Sequence, residues 1–193
     1  MTLAVPVDAQ APPVQRVDVQ FSGYGLGGFG GRIRATNAGT RVSADLPASF
    51  GGGARAGIIV PHAGVALQAE VSPIKPKGAR ERHRTTSVLL IIAGRHRVRL
   101  GEDTAIEPYV GIGAGVALYD FDTTIVSGRA LQASIGLNLF FRWFGGFVEL
   151  GWQRFDLGGF PDDESVFPEW RPGTNTDIHF NRAQVRIGLL AEL

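Results

Sequence analysis

The chain contains no cysteine, which excludes disulfides, thiolate metal sites and a cysteine nucleophile. That absence says little about compartment, since a secreted protein need not carry disulfides. Long apolar runs are missing as well. The longest, Val88 to Ala93, falls far short of the ~20 residues a spanning helix needs. A membrane crossing would therefore require a closed barrel. Nor is one sign of charge in excess: 19 Lys and Arg against 18 Asp and Glu leave a net charge of +1. With no basic recognition helix visible, no nucleic-acid partner is expected. The 193 residues suit one domain, large enough for one closed sheet but not for two cores.

What the chain does have is glycine and alternation. Its 27 glycines are about twice the usual share of ~7%, and they sit inside apolar patterns. From Glu107 to Asp156 one side carries Val110, Ile112, Ala114, Val116 and Leu118, the other Gly111, Gly113 and Gly115. Leu131, Ala133, Ile135, Leu137, Leu139 and Phe141 then oppose Gln132, Ser134, Gly136, Asn138 and Arg142. Val148, Leu150 and Trp152 oppose Glu149, Gly151 and Gln153. A period of two over about ten residues marks a β-strand with different surroundings on its two faces. Such segments, separated by turn signals, are the signature of a transmembrane β-barrel.

Eight runs can be marked: Val17–Phe29, Ala48–Val60, Gly64–Ser72, Thr86–Arg99, Glu107–Tyr119, Arg129–Arg142, Gly145–Asp156 and Ile178–Leu190. Their connections are mostly short on one rim and longer on the other, as in outer-membrane barrels. The expected fold is all-β, an eight-stranded antiparallel up-and-down transmembrane barrel over residues 17–193. Residues 1–16 read equally as a signal remnant ending at Ala9-Gln10-Ala11 or as a flexible N-terminal tail with Pro12 and Pro13 as spacer.

Phe50, Ala54, Ala56, Ile58, Val60, Val65, Leu67, Ala69, Val71, Val185, Ile187 and Leu189 are assigned outward. Arg55, Gln68, Glu70, Arg95, Arg97, Glu149, Gln153, Gln184 and Arg186 are assigned inward. Alternation is symmetric under turning the wall inside out, so a soluble lipocalin-like barrel with the aliphatic face lining a cavity stays open. Composition favours lipid outside, because the glycine-rich face has few large residues to cover a water-facing surface. Tyr119, Phe121, Trp152 and Phe155 are expected to mark the outer interface, and Phe141, Trp143 and Phe144 the periplasmic one.

The strand Pro108-Tyr109-Val110-Gly111-Ile112-Gly113-Ala114-Gly115-Val116 resembles the small eight-stranded outer-membrane barrels of the OmpA, OmpX and OmpW type. In residues the similarity covers this strand and loosely the next two; in layout it covers the chain. It implies an antiparallel barrel in the outer membrane of a Gram-negative-type envelope, with no cofactor. Such barrels often end in an aromatic residue, whereas this sequence ends at Leu193 with apolar residues still alternating behind it. No peptidoglycan-binding domain is expected to follow the barrel, so an anchoring role of that kind is not expected.

Three constellations invite chemistry. Gly23-Tyr24-Gly25-Leu26-Gly27-Gly28 matches G-x-G-x-x-G literally. No helical pattern follows to hold a pyrophosphate, so it reads as a glycine-rich strand. The inward charges Arg55, Glu70, Arg95, Arg97, Glu149 and Arg186 should form an interior ionic network, because an eight-stranded bore is just wide enough for side chains to fill. Lys75, Lys77, Arg80, Arg82 and Arg84 make one loop basic enough to contact lipopolysaccharide phosphates. The last loop is acidic through Asp162, Asp163, Glu164 and Glu169, and is expected to pack on the basic one; its Phe160, Phe167 and Trp170 would form a girdle or a loop core.

A lipid-modifying barrel enzyme is the alternative. In a lipid A deacylase of this architecture the working pair is His-x-Ser, and the nearest match is His179-Phe180-Asn181. Asn181 lacks the nucleophilic hydroxyl, and His62 and His96 have no serine at that spacing. Four scattered histidines provide no metal-ligand pattern. The expectation is therefore a non-enzymatic, monomeric outer-membrane barrel without a wide pore. It would serve envelope integrity or surface interaction, with outer-membrane lipid and lipopolysaccharide as partners.

Overall fold

Alternating residues with small glycine spacers leave the backbone no use but a sheet. The computed structural model describes residues 17–37, 40–75, 77, 83–121, 124–158 and 177–193. Eight strands correspond to the eight runs: β1 (Asp18–Asn37), β3 (Ser49–Val60), β4 (Ala63–Ile74), β5 (His83–Arg95), β7 (Thr104–Phe121), β8 (Thr124–Phe141), β9 (Phe144–Gly158) and β10 (Asp177–Glu192). Two short strands, β2 (Thr40–Asp45) and β6 (Val98–Arg99), extend hairpins at the rims. Each long strand is antiparallel to its neighbours, and β1 pairs with β10 to close the circuit. Closure of the eight long strands removes the sheet edge from the wall, as hydrocarbon requires, while β2 and β6 at the rims each pair with one strand.

Both described ends lie on the short-turn rim: Val19 and Leu193 exchange two backbone hydrogen bonds of 2.9 Å. That rim also carries the β3–β4 turn and the two-residue β8–β9 turn, where Arg142 adopts a φ of 59°. The inward position expected for Arg142 is thus corrected. The chain reverses there, and the side chain is exposed, 3.2 Å from Asp103.

Three expected boundaries moved. β1 does not stop at Phe29. Gly30 and Gly31, with φ of 59° and 144°, absorb an irregularity in the β1–β10 pairing, and the strand continues to Asn37. Below the bulge β1 pairs with β3, and above it with β2, so the bulge is where the strand changes partners. β7 and β8 lengthen until Phe121 pairs with Thr124, which turns an expected loop into a tight hairpin. The run Thr86–Arg99 divides, with His96 and Arg97 outside either strand.

The wall is apolar outside, and the buried charges lie on its inner face. Ile112 is 67% exposed whereas Arg186 is 0% exposed. The outward residues from Pro108 to Leu118 on β7 and from Leu131 to Phe141 on β8 give belts matching the ~9–11 residues a membrane strand needs. Phe141, Trp143 and Phe144 stay exposed at the short-turn rim, where Phe144 packs edge-on against the other two. Trp152 also faces out. Tyr119 and Phe155, expected beside it, do not: both are buried in the bore. Parity is the cause, since an outward Leu118 turns Tyr119 inward and an outward Trp152 does the same to Phe155. Phe121's side chain lies outside the described residues.

The bore is filled in layers. Near the long-loop rim Ile33, Tyr119, Phe155, Leu157, Ile178 and Phe180 belong to an apolar cluster. Towards the other rim Tyr24, Phe140, Phe147 and Leu190 form a smaller one. The polar core lies between them.

Candidate functional site

The core centres on Arg186, supplied by β10. Antiparallel register sets it directly opposite Glu149 of β9, and its Nη1 donates to Glu149 Oε1 at 2.7 Å. Across the bore its Nε donates to Glu70 Oε1 at 2.5 Å. Arg55, on β3, closes the set by donating through Nη2 to Glu149 Oε2 at 2.9 Å. Two carboxylates thus hold two guanidiniums, which lets charges survive out of water.

Neutral groups complete the lone pairs. Tyr109 donates to Glu149 at 2.7 Å and Tyr24 to Glu70 at 3.1 Å. Gln132 accepts from Arg186 at 2.8 Å and from Gln68 at 2.8 Å. Gln153 donates to Glu70 at 3.2 Å and accepts from Gln184 at 2.6 Å. Gln68, Gln153, Glu149 and Arg186 are wholly buried. Glycines make the room. A methyl added at Gly151 would sit 2.5 Å from Arg186 Nη1, and one at Gly136 2.4 Å from the Tyr109 ring.

Arg95 and Arg97 are placed elsewhere. Both bind Glu107, and Arg97 also reaches Glu192 at 2.5 Å, near the short-turn rim. Asn138 supports Glu107 at 2.8 Å. The six charges therefore fall into two groups at different heights, Arg55, Glu70, Glu149 and Arg186 above and Arg95 and Arg97 below. Above both, the buried Arg182 has no carboxylate partner among the described residues. It donates to Ser72 at 3.1 Å and to Gln153 at 3.4 Å.

A vestibule of about 670 Å³ opens at the short-turn rim, lined in part by Asp18, His62, Arg97, Arg99 and Glu192. Behind it Tyr109, Asn138 and Gln20 bound a void of about 50 Å³. The Arg186 layer then spans the bore.

The basic loop is only partly described. Lys75 and Lys77 are exposed, and Arg84 is exposed but paired with Asp120 at 2.5 Å. Arg80 and Arg82 lie outside the described residues, as do Asp162, Asp163, Glu164, Glu169, Phe160, Phe167 and Trp170. His179 lies 2.6 Å from Asp156 through Nδ1, and no hydroxyl bonds to it among the described residues. His62 and His96 stack at 6.4 Å on the short-turn rim.

No protein-family model and no curated protein matches the chain. Among solved structures it is similar to the outer membrane protein OprG from Pseudomonas aeruginosa, with a TM-score of 0.61 and 13% identity, over 93% of this chain and 97% of that one. Neisserial surface protein A aligns over 89% and 96% with a TM-score of 0.38 and 11% identity. The outer membrane protease OmpT from Escherichia coli aligns over 94% and 97% with a TM-score of 0.42 and 12% identity. The first likeness concerns fold alone, and the other two are too loose to bear on function. The chain has the fold of the small outer-membrane β-barrels.

Proposed function

We propose that this protein is a non-enzymatic barrel of the outer membrane that acts through its wall and its outer loops, and not as a pore. It would serve envelope integrity or surface interaction, as a monomer among outer-membrane lipids. The observation that carries this reading is the wholly buried layer of Arg186, Glu149, Gln68 and Gln153 standing across the bore. Water and ions would have to break several charge-assisted bonds at once to pass it, and such bonds are about twice as strong as neutral ones. The apolar belt supports residence in lipid, because an outward strand surface this continuous would drive aggregation in water.

The test is reconstitution of the full chain into planar bilayers, beside fractionation of cells that make it. The reading expects membrane fractions that need detergent, a shift in gel mobility on boiling, and a flat current trace. Discrete conductance steps would overturn it. So would altered lipid A or phospholipid in cells expressing the protein, which would point to an enzyme.

A further inference from the structure

At the long-loop end of the outward belt, four neighbouring strands share one row of polar residues. Register aligns Arg34 of β1 with His179 of β10, His179 with Asp156 of β9, and Asp156 with Arg129 of β8. One step nearer the belt Arg154 stands opposite Asn181 and Leu131. Another step down, Trp152 is opposite Ala183 and Ala133, inside the apolar belt. Strands of such barrels tilt by about 35–45°, so the row runs obliquely to the membrane plane, with Arg129 still opposite Val116 of the β7 belt; its long cationic side chains can reach up towards the head groups.

The charges do not cancel. Asp156 is engaged by Arg154 at 2.9 Å and by His179 at 2.6 Å. Arg34 and Arg129 are exposed and have no ion pair among the described residues. On the opposite wall the comparable cation, Arg84, is already held by Asp120. The patch also has a spacing. Arg129 and Arg154 are diagonal neighbours within reach of one anion. Arg34 is three strands from Arg129, about 14 Å along the wall at ~4.8 Å per strand. One phosphate cannot join the two ends, whereas two phosphates on one head group can.

We propose that the β8–β9–β10–β1 face is a site for an outer-leaflet lipid bearing two phosphates, with Arg129 and Arg154 taking one and Arg34 the other. Guanidinium is suited to this because its fork donates two parallel bonds to a phosphate. Asp156 and His179 then act as spacers that hold Arg154 and keep the two anion positions apart. The inference rests on the outer-membrane reading above, and it moves the lipid contact away from the Lys75–Arg84 loop.

The experiment uses the full chain in nanodiscs containing phosphatidylglycerol with either diphosphoryl or monophosphoryl lipid A, and reads the retained lipid by native mass spectrometry. The wild type should retain diphosphoryl lipid A preferentially. R34Q/R129Q should weaken that retention by about 30-fold, from the loss of two surface cations, and abolish the preference. R84Q should leave both unchanged. Excess inorganic phosphate should compete poorly, because it carries no second phosphate and no acyl anchor. Equal retention of all three lipids, an unchanged R34Q/R129Q, or a matching loss in R84Q would overturn the proposal. Gel mobility without boiling, read on the same samples, separates the two claims: a barrel that inserts yet shows no preference defeats only this site, and one that never inserts defeats the outer-membrane reading.

Discussion

Replacing Glu149 by alanine attacks the core at its most connected point. Glu149 is wholly buried and accepts from Arg55, Arg186 and Tyr109 at 2.9, 2.7 and 2.7 Å. Its removal leaves Arg55 without a carboxylate partner and Arg186 with Glu70 alone. Breaking one side of a buried ion pair costs about 3–5 kcal/mol. E149Q keeps the shape and one acceptor oxygen while losing the charge, so it should cost less than E149A. Denaturant unfolding in detergent, followed by the mobility of unboiled samples, measures both. The control is D103A, which removes only an exposed pair with Arg142 and should cost under about 1 kcal/mol. E149A within 0.5 kcal/mol of D103A, on the order of measurement error in such unfolding, would refute the idea that the layer is a sealed ionic plug.

Three further outcomes follow from the same geometry. G151A should destabilise the barrel by about 1–3 kcal/mol, because the new methyl would lie 2.5 Å from Arg186 Nη1; the same unfolding assay reads it. I112R, in the middle of the β7 belt, should cost about 2–4 kcal/mol in a bilayer and lower the yield of heat-modifiable protein, whereas a water-facing position would accept it freely. G30V should cost about 1–2 kcal/mol, because Gly30 holds a φ of 59°, and the loss should appear as faster exchange of the β1–β2 amides.

Much of this was readable from residue parity. Val110 to Leu118 against Gly111 to Gly115 set both the strand and its faces, and the long strands obey the same rule except β1, whose phase switches at its bulge. The aromatic assignments failed where parity was set aside for residue type: Tyr119 and Phe155 suit an interface by chemistry but fall on the inward phase. Height was the second gap. Arg95 and Arg97 have the inward character of Arg55, yet alternation does not say how far along the bore a side chain lies. Only register brings Arg186 opposite Glu149 and sends Arg97 to Glu192. Tyr24, Tyr109, Arg182 and Glu192 went unassigned because their partners are distant in sequence, and Glu107 because Arg95 and Arg97 lie across a turn from it. Gly30 and Gly31 read as a strand end, and only the continued pairing of Arg32 with Asn181 marks them as a bulge.

Everything depends on which side of the wall meets acyl chains. Because the chain has no cysteine, single-cysteine variants from Val110 to Leu118 can each carry one fluorophore in the otherwise native protein. Quenching by lipids brominated along their acyl chains should oscillate with a period of two, strongest at 110, 112, 114, 116 and 118. Maxima at the intervening positions, or labels at the even positions reached as readily by a water-soluble quencher as one at Asp103, would contradict the account.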